Sequence, residues 1–518
     1  MGRNRKVAGR WSACCLSLTL ALSATPARSE VLPDPRTIAA PDEREAVSDL
    51  MALLVGTPPS DAAALARFDA ALAKLTRPTP MRGLLQFYRA NILSQLDRKA
   101  EAQDAIEESI RLLPEYSGPL LVASQVETYR DRGEAAAAYL LRASRIDPQI
   151  VARIPDYDLD NLLSRIPEDT GRELRVRLIE RLFETGWRGE RLRLRSRLAG
   201  ELIAAYGARG QLARAEAFLP QLLNPADARR LLTQTRYRAL WPKIEQWSGP
   251  RQERLWPLFL NELRQRWMAS RHLNDALDYA SALRLANRYQ LIVAEFLPLF
   301  ARPRAEEDYD LQWLAPVVAG ALARLGRRDE VEDLFSKALQ IWPVGGDANA
   351  LNLLANRGRY RYLHGDFAGA VADLRSAVAD GERRGGEVSA RSLLPMHHFL
   401  ACALHRLGRD PEAFPSAAYV VRSGLPVTTA SLHLCFDRKE AARAALIAGL
   451  AREGQRDDVI DFMQLEDEPP LPTEVDRATN ARQAALRADP ALLAAVAPHG
   501  RILPFAPAAG ANETARPD

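Results

Sequence analysis

The sequence contains few cysteines and few aromatic residues. Four of its 518 residues are cysteine, and 7% are aromatic. Cys14 and Cys15 lie close to the N-terminus, so only Cys402 and Cys435 remain for the rest of the chain, too few for a disulfide-dense scaffold. Whether these two are bonded to each other or are buried free thiols stays open, because the sequence does not show whether their Cα atoms come within about 7 Å.

Long hydrophobic runs are rare as well. The one candidate, Ser12–Thr25, is mostly apolar over 14 residues, which is shorter than the ~20 residues that span a bilayer. A basic segment ending at Arg10 precedes it, and the small-x-small pattern of a cleavage site follows at 27–29. Residues 1–29 are therefore predicted to be a secretory signal peptide. The mature chain is expected in a bacterial periplasm, without a transmembrane segment.

Excess charge of either sign is nearly absent outside this segment. The whole chain has 70 Lys and Arg against 66 Asp and Glu, a formal charge of +4. Residues 1–29 hold five of the basic residues and none of the acidic ones, which leaves 65 against 66. We expect no nucleic-acid partner, because such binding needs a basic excess or a segregated basic patch.

The sequence also lacks the common catalytic motifs. It has no glycine-rich phosphate loop and no HExxH, GxSxG or CxxC motif. We therefore expect no catalytic residue, no cofactor and no enzymatic activity. One enzymatic alternative stays open, a helical toroid that acts on cell-wall or polysaccharide glycans with paired carboxylates, since such carboxylates need no local motif.

What the sequence does contain is a repeat of 34 residues. Residues 82–114 align with residues 116–148 at this shift, which places Ala102 on Ala136 and ends both blocks with a proline. Apolar residues recur at helical spacing within each block, and the proline cannot continue the second helix. Each block is thus predicted to be two amphipathic helices joined by a turn.

The same pattern returns later in the chain. It is clear in 313–343 and 353–381 and weaker in 392–464, and its turn glycines are Gly326, Gly365, Gly408 and Gly454. Small residues at the helix contacts, a larger apolar residue and then a proline resemble the tetratricopeptide repeat (TPR) family. The resemblance implies an all-α, TPR-like helical-repeat solenoid, a right-handed superhelix of helix pairs.

The same resemblance implies a function and a partner. TPR-like solenoids offer a concave groove to proteins or peptides, so a scaffold for protein–protein interaction is expected. The resemblance to the family also suggests that this chain acts in envelope assembly, polysaccharide export or secretion, and that its partner is part of a complex at the outer membrane.

Prolines and the loss of the repeat pattern divide the chain further. The predicted parts are a signal peptide (1–29), an extended lead-in (30–43), N-terminal TPR-like repeats (44–154), irregular helical repeats (155–300), C-terminal TPR-like repeats (301–465), an acidic proline-rich linker (466–475), a short helix (476–497) and a disordered tail (498–518).

One cluster has residue types that bind metals. His398, Cys402 and His405 are spaced i, i+4 and i+7 and share one face of a helix. Two imidazoles and a thiol are ligands for zinc or copper. Three ligands on a single helix are geometrically awkward, however, and this spacing matches no common closed site. The cluster is therefore a weak metal candidate, and a polar groove surface is the preferred interpretation.

By resemblance to the family, one face of each repeat lines the groove. Aligning the repeats predicts a partner groove that consists of Phe87, Asn91, Leu121, Gln125, Arg359, Tyr362, His398, Cys402, His405 and Arg406. Some family members clamp a peptide carboxylate with Lys and Asn. This chain retains Asn91 but has Phe87 where the Lys would lie, so a free C-terminus is not the expected ligand.

Overall fold

The structure is a computed structural model of the chain. It describes residues 32–55, 61–167, 170–189, 191–301, 303, 308–345, 349–385, 388–466, 471 and 473–505. The predicted signal peptide and positions 506–518 of the predicted tail lie outside these residues. The chain forms two compact units, unit 1 (Met1–Leu202) and unit 2 (Ile203–Asp518).

The described residues are almost entirely helical, as predicted. The first helices are α1 (Pro35–Ile38), α2 (Pro41–Val47), α3 (Met51–Val55), α4 (Ala62–Lys74), α5 (Pro80–Gln95), α6 (Lys99–Leu112), α7 (Ser117–Tyr129), α8 (Gly133–Ile146), α9 (Gln149–Ala152), α10 (Asp156–Ser164), α11 (Arg172–Glu184) and α12 (Leu192–Ala208). A 3₁₀ turn at Ser48–Leu50 joins α2 to α3.

The remaining elements are shorter at first and then regular. They are α13 (Leu212–Glu216), α14 (Pro225–Thr233), α15 (Trp241–Ser248), α16 (Leu255–Ser270), α17 (Leu273–Leu285), α18 (Tyr289–Phe296), α19 (Leu311–Arg324), α20 (Arg328–Ile341), α21 (Ala350–Leu363), α22 (Phe367–Arg384), α23 (Ala390–Arg406), α24 (Asp410–Arg422), α25 (Pro426–Cys435), α26 (Lys439–Leu450), α27 (Glu453–Phe462), β1 (Leu465–Glu466), α28 (Glu474–Arg487), α29 (Pro490–Val496) and β2 (Pro504–Phe505). Further 3₁₀ turns lie at Leu219–Gln221, Thr235–Leu240 and Leu297–Phe300.

The 34-residue repeat corresponds to two helix pairs in unit 1. Helix α5 packs against α6, and α7 packs against α8. Thr79 begins α5, since its Oγ1 accepts a hydrogen bond from the Arg82 amide at 3.3 Å and Pro80 follows in the first turn. Ala102 and Ala136 are fully buried where the helices meet. The predicted helix pairs are therefore confirmed here.

Unit 2 repeats the arrangement with α19/α20, α21/α22, α23/α24 and α25/α26 as antiparallel neighbours. The turns within the first three pairs contain Gly326, Gly365 and Gly408, all with positive φ, a conformation that glycine adopts without strain. In the weakest predicted repeat, around Ile447 and Val459, the expected turn glycine Gly454 lies in the first turn of α27 instead. The fourth pair, α25/α26, turns at Asp437, with φ of 57°. Asp is one of the few other residues that tolerate this region, so a glycine pattern misses the turn.

A disulfide connects two helices of unit 2. Cys402 of α23 is bonded to Cys435 of α25, with Cα atoms 5.9 Å apart. Cys402 is fully buried in a core cluster that includes Leu374, Leu400 and Leu432. Cys402 and Cys435 are therefore bonded to each other and are not free thiols.

The C-terminal part differs from the prediction. Instead of one short helix at 476–497, there are two, α28 and α29, because the Asp489 carboxylate accepts hydrogen bonds from the amides of Ala491 and Leu492 and begins a new helix. The predicted tail begins too early, since residues 498–505 are packed and Pro504–Phe505 pairs in parallel with Leu465–Glu466. Among the described residues, no helix is long and apolar enough to cross a membrane.

Candidate functional site

The helices of unit 2 form a closed ring of helix–helix contacts. Helix α17 contacts α19, which contacts α21, and the series continues through α23 and α25 to α27. Helix α27 in turn contacts α14, near the start of the unit. Helix α14 contacts α16, and α16 contacts α17, which completes the ring. The beginning and the end of unit 2 therefore meet.

Charged and backbone contacts hold this closure. Arg229 pairs with Asp461 at 3.1 Å, and Arg236 pairs with Asp457. The Thr235 amide donates to the His499 carbonyl at 2.9 Å, and the Arg501 amide donates to the Thr233 carbonyl at 2.8 Å. The guanidinium of Arg501 also donates to the Leu232 carbonyl at 2.7 Å and to Glu245 at 2.6 Å. The last described residues of the chain thus form hydrogen bonds with α14, α15 and the turn between them.

A cavity of about 260 Å³, here named the arginine cavity, lies inside unit 2. Helices α19 and α21 provide most of its described wall, with single residues from α17, α18 and α20 and with Leu471 and Asp476 from the start of the α28 region. Its described lining residues are Arg284, Tyr289, Pro316, Val317, Ala319, Gly320, Ala323, Arg324, Phe335, Asn356, Arg359, Tyr360, Leu363, Leu471 and Asp476. Small residues of α19 leave this space open, and a Cβ added to Gly320 would meet no atom within 4 Å.

The described wall is positively charged. It has three guanidinium groups, those of Arg284, Arg324 and Arg359, and one carboxylate, that of Asp476. Asp476 lies 3.9 Å from Arg324 and accepts hydrogen bonds from the Leu471 amide at 2.6 Å and from the Asn480 side chain at 3.0 Å. Such a wall attracts anionic groups, and planar guanidinium groups are well suited to carboxylates.

Two tyrosines add neutral hydroxyl groups to this wall. Burial raises the pKa of Tyr360, so this phenol stays protonated at neutral pH. Its hydroxyl donates to the Arg328 carbonyl at 3.4 Å, and that of Tyr289 donates to Asn287 at 2.8 Å. The described wall therefore combines positive charge with polar hydroxyl and amide groups, an arrangement suited to binding a polar or anionic ligand.

The metal candidate is not supported by the geometry. Cys402 is bonded to Cys435 and cannot act as a thiolate ligand. The imidazole of His405 lies 2.6 Å from Asp410 and stacks on Phe436. Burial, with Arg359 nearby, lowers the pKa of His398 to about 4. Among the described residues, no group of three or more His, Cys, Asp or Glu side chains is placed to hold a metal ion.

The predicted partner groove divides into buried and accessible residues. Phe87, Leu121, Tyr362 and Cys402 are buried, with at most 6% of each exposed. They are corrected to core residues, because the apolar side chains pack between helices and Cys402 is bonded to Cys435. Whether the other six residues contact a partner stays a prediction.

Four of these six lie in different places. Arg359 is exposed on the arginine cavity, with its guanidinium 5.5 Å from the Phe399 ring, and Arg406 is exposed beside Phe367 at 5.4 Å. In unit 1, the Asn91 side chain donates to the Phe87 carbonyl at 3.0 Å. Gln125 borders a separate cavity of about 30 Å³.

Sequence reasoning missed Arg284, Arg324, Asn356 and Asp476. A signal for part of this set exists in the repeats. The residues nine, six and two positions before the turn glycine line the cavity in both α19 and α21, and these are Val317, Gly320 and Arg324, then Asn356, Arg359 and Leu363. Asp476 has no such signal, because it comes from outside the repeats.

Comparison with known proteins adds little to this geometry. The sequence matches no family profile and no curated protein. Among solved structures, yeast Tom70 is 14% identical with a TM-score of 0.27, and the alignment covers 84% of this chain and 95% of Tom70. The Cut9-Hcn1 hetero-tetramer of the APC/C is 10% identical with a TM-score of 0.28, covering 83% of this chain and 98% of the matched chain. At these values neither fold superposes closely on this chain.

Proposed function

We propose that this chain is a non-enzymatic scaffold that binds a protein partner at the arginine cavity of unit 2. The observation that carries the proposal is the charge of the described wall, three guanidinium groups against one carboxylate. A repeat protein offers an extended surface to a polypeptide, and charged groups on that surface select the partner and its register.

The proposed location is the bacterial periplasm. The basic segment, apolar run and small-x-small pattern within residues 1–29 support export. The disulfide between Cys402 and Cys435 is compatible with an oxidising compartment, where such bonds persist. Within that compartment we propose a role in envelope assembly, polysaccharide export or secretion, with a partner that can belong to an outer-membrane complex.

The glycan-enzyme alternative is less well supported by the same wall. Glycoside hydrolysis by paired acids needs two carboxyl groups, about 5 to 9.5 Å apart, that flank the substrate. The described lining of the arginine cavity has one, Asp476, and its Oδ2 accepts two hydrogen bonds from its own segment. The wall therefore favours a binding function.

Site-specific photocrosslinking in the native periplasm tests the proposal. A photoreactive residue replaces Leu363, which lines the arginine cavity, and in a matched variant it replaces Phe414, 72% exposed on α24 and outside that lining. We expect a discrete protein adduct from position 363 and none of the same mass from position 414. Identical adducts at both positions, or no adduct from position 363, would reject the scaffold. Hydrolysis of a cell-wall or polysaccharide substrate by the purified protein would then favour the glycan enzyme.

A further inference from the structure

Helix α28 buries few residues for its length of 14. It has the sequence EVDRATNARQAALR, and its buried residues are Asp476 and Leu486. A helix of a repeat pair buries a continuous apolar stripe, as α19 does with nine buried residues. Helix α28 therefore depends less on apolar packing and more on polar contacts than the helices around it.

Its contacts lie on one helix pair, α25/α26, and on the earlier helix α21. Helix α28 touches α21, α25 and α26, and Val475 packs against the core formed by α21 to α25. Its N-terminal end brings Asp476 to the arginine cavity, 3.9 Å from Arg324. The start of α28 thus forms part of the wall of the arginine cavity, the proposed site of the partner.

The polar contacts that hold α28 are partly exposed. Arg482 pairs with Asp437 at 2.7 Å, and the two side chains are 32% and 61% exposed. At the C-terminal end, Arg487 donates to the Phe462 carbonyl at 2.8 Å and lies 4.9 Å from the Phe462 ring. Exposed ion pairs contribute little to stability, so this attachment is weaker than that of a repeat helix.

We propose that Leu471 and α28 form an intramolecular ligand of unit 2, which an acidic peptide segment of the partner displaces from the arginine cavity. The inference rests on the proposed function and names the chemistry of the partner. Asp476 is the one carboxylate on a described wall with three arginines, and a carboxylate of an acidic segment can take its place beside these guanidinium groups. Because α28 is tethered at a high effective concentration, it competes with every such ligand.

Binding of a fluorescein-labelled hexaglutamate peptide to the full chain tests the inference. Arg482→Glu places a carboxylate opposite Asp437 and loosens α28 without changing the cavity wall. Arg477→Glu makes the same charge change at an exposed position of the same helix. We expect about tenfold tighter binding to R482E than to the unaltered chain, although R482E is the more acidic protein, and no gain with R477E. Adding Arg359→Gln to R482E should remove the gain.

Amide hydrogen exchange gives an independent readout on the unaltered chain. Saturating hexaglutamate should increase exchange in α28 and decrease it in α19 and α21. Equal affinity of R482E and R477E, or unchanged exchange in α28 upon binding, would refute the intramolecular ligand. If position 363 still crosslinks to a partner in that case, the scaffold function survives and only this inference fails. If no adduct forms either, both fail.

Discussion

At the residue scale, His398 shows how the environment inside a repeat changes ordinary chemistry. Its imidazole lies 3.9 Å from the Cys402 sulfur and edge-on to the Phe399 ring. Burial, together with the charge of Arg359, lowers its pKa to about 4. The residue that looked like a metal ligand in the sequence is thus a neutral packing residue at neutral pH.

This shift makes stability depend on pH. The folded pKa lies below the unfolded value near 6.5, so the unfolded chain takes up the proton first as the pH falls. Stability is complete above about pH 6.5 and decreases toward pH 4, by about 3 kcal/mol at one pKa unit per 1.36 kcal/mol. Urea unfolding of the chain and of His398→Gln between pH 7 and 4 should show a shallower decline for the variant. His272→Gln, at an exposed position, is the control, and parallel curves for all three proteins would contradict the assignment.

At the element scale, the disulfide joins α23 to α25 across a separation of 33 residues. A loop of this size corresponds to about 3 to 4 kcal/mol of stabilisation in the chain-entropy account. The double variant Cys402→Ala/Cys435→Ser should therefore unfold at a lower denaturant concentration than the oxidised chain. Adding a reductant should lower the midpoint of the unaltered chain and leave that of the double variant where it is. A reductant that shifts both equally would show that the effect does not come from this bond.

The elements that the sequence predicted are those whose signals are local. Helix pairs such as α5/α6 follow from apolar spacing, small contact residues and a terminal proline within about 34 residues. The turn at Asp437 and the break at Asp489 were missed because aspartate is a weaker signal than glycine or proline. Phe87 and Tyr362 were assigned to the groove because a repeat alignment gives the helix face only to within one stripe.

At the scale of the whole unit, prediction from sequence reached its limit for a physical reason. The Thr235 hydroxyl donates to the Pro498 carbonyl across 263 positions, and no periodic pattern encodes a contact of that range. The same holds for Asp476, which reaches the arginine cavity from outside the repeats. Six of the fifteen described lining residues follow the repeat register, whereas Leu471 and Asp476 come from outside it.

The closure of unit 2 should depend strongly on Arg501. Its side chain donates to Leu232 and Glu245 and lies 3.7 Å from the Trp241 ring centre, so Arg501→Ala removes two charge-assisted hydrogen bonds and a cation–π contact. The hydrogen bond to Leu232 contributes about 1.5 to 3 kcal/mol, and the partly exposed pair with Glu245 about 0 to 1 kcal/mol, so a loss of about 2 to 4 kcal/mol is expected.

Hydrogen exchange should locate the loss in α14, α27 and residues 498–505, with α21 and α22 unchanged. Arg375→Ala is the matched control, since Arg375 pairs with Glu412 at a site where both side chains are about half exposed, and such a pair contributes about 0 to 1 kcal/mol. Similar amide exchange in Arg501→Ala and Arg375→Ala would mean that Arg501 does not stabilise the contact between the two ends of unit 2. Loss of hexaglutamate binding in Arg501→Ala, with α21 still protected from exchange, would show that the arginine cavity requires the closure of unit 2. In that case the helices of the wall would remain folded, and only their arrangement would have changed.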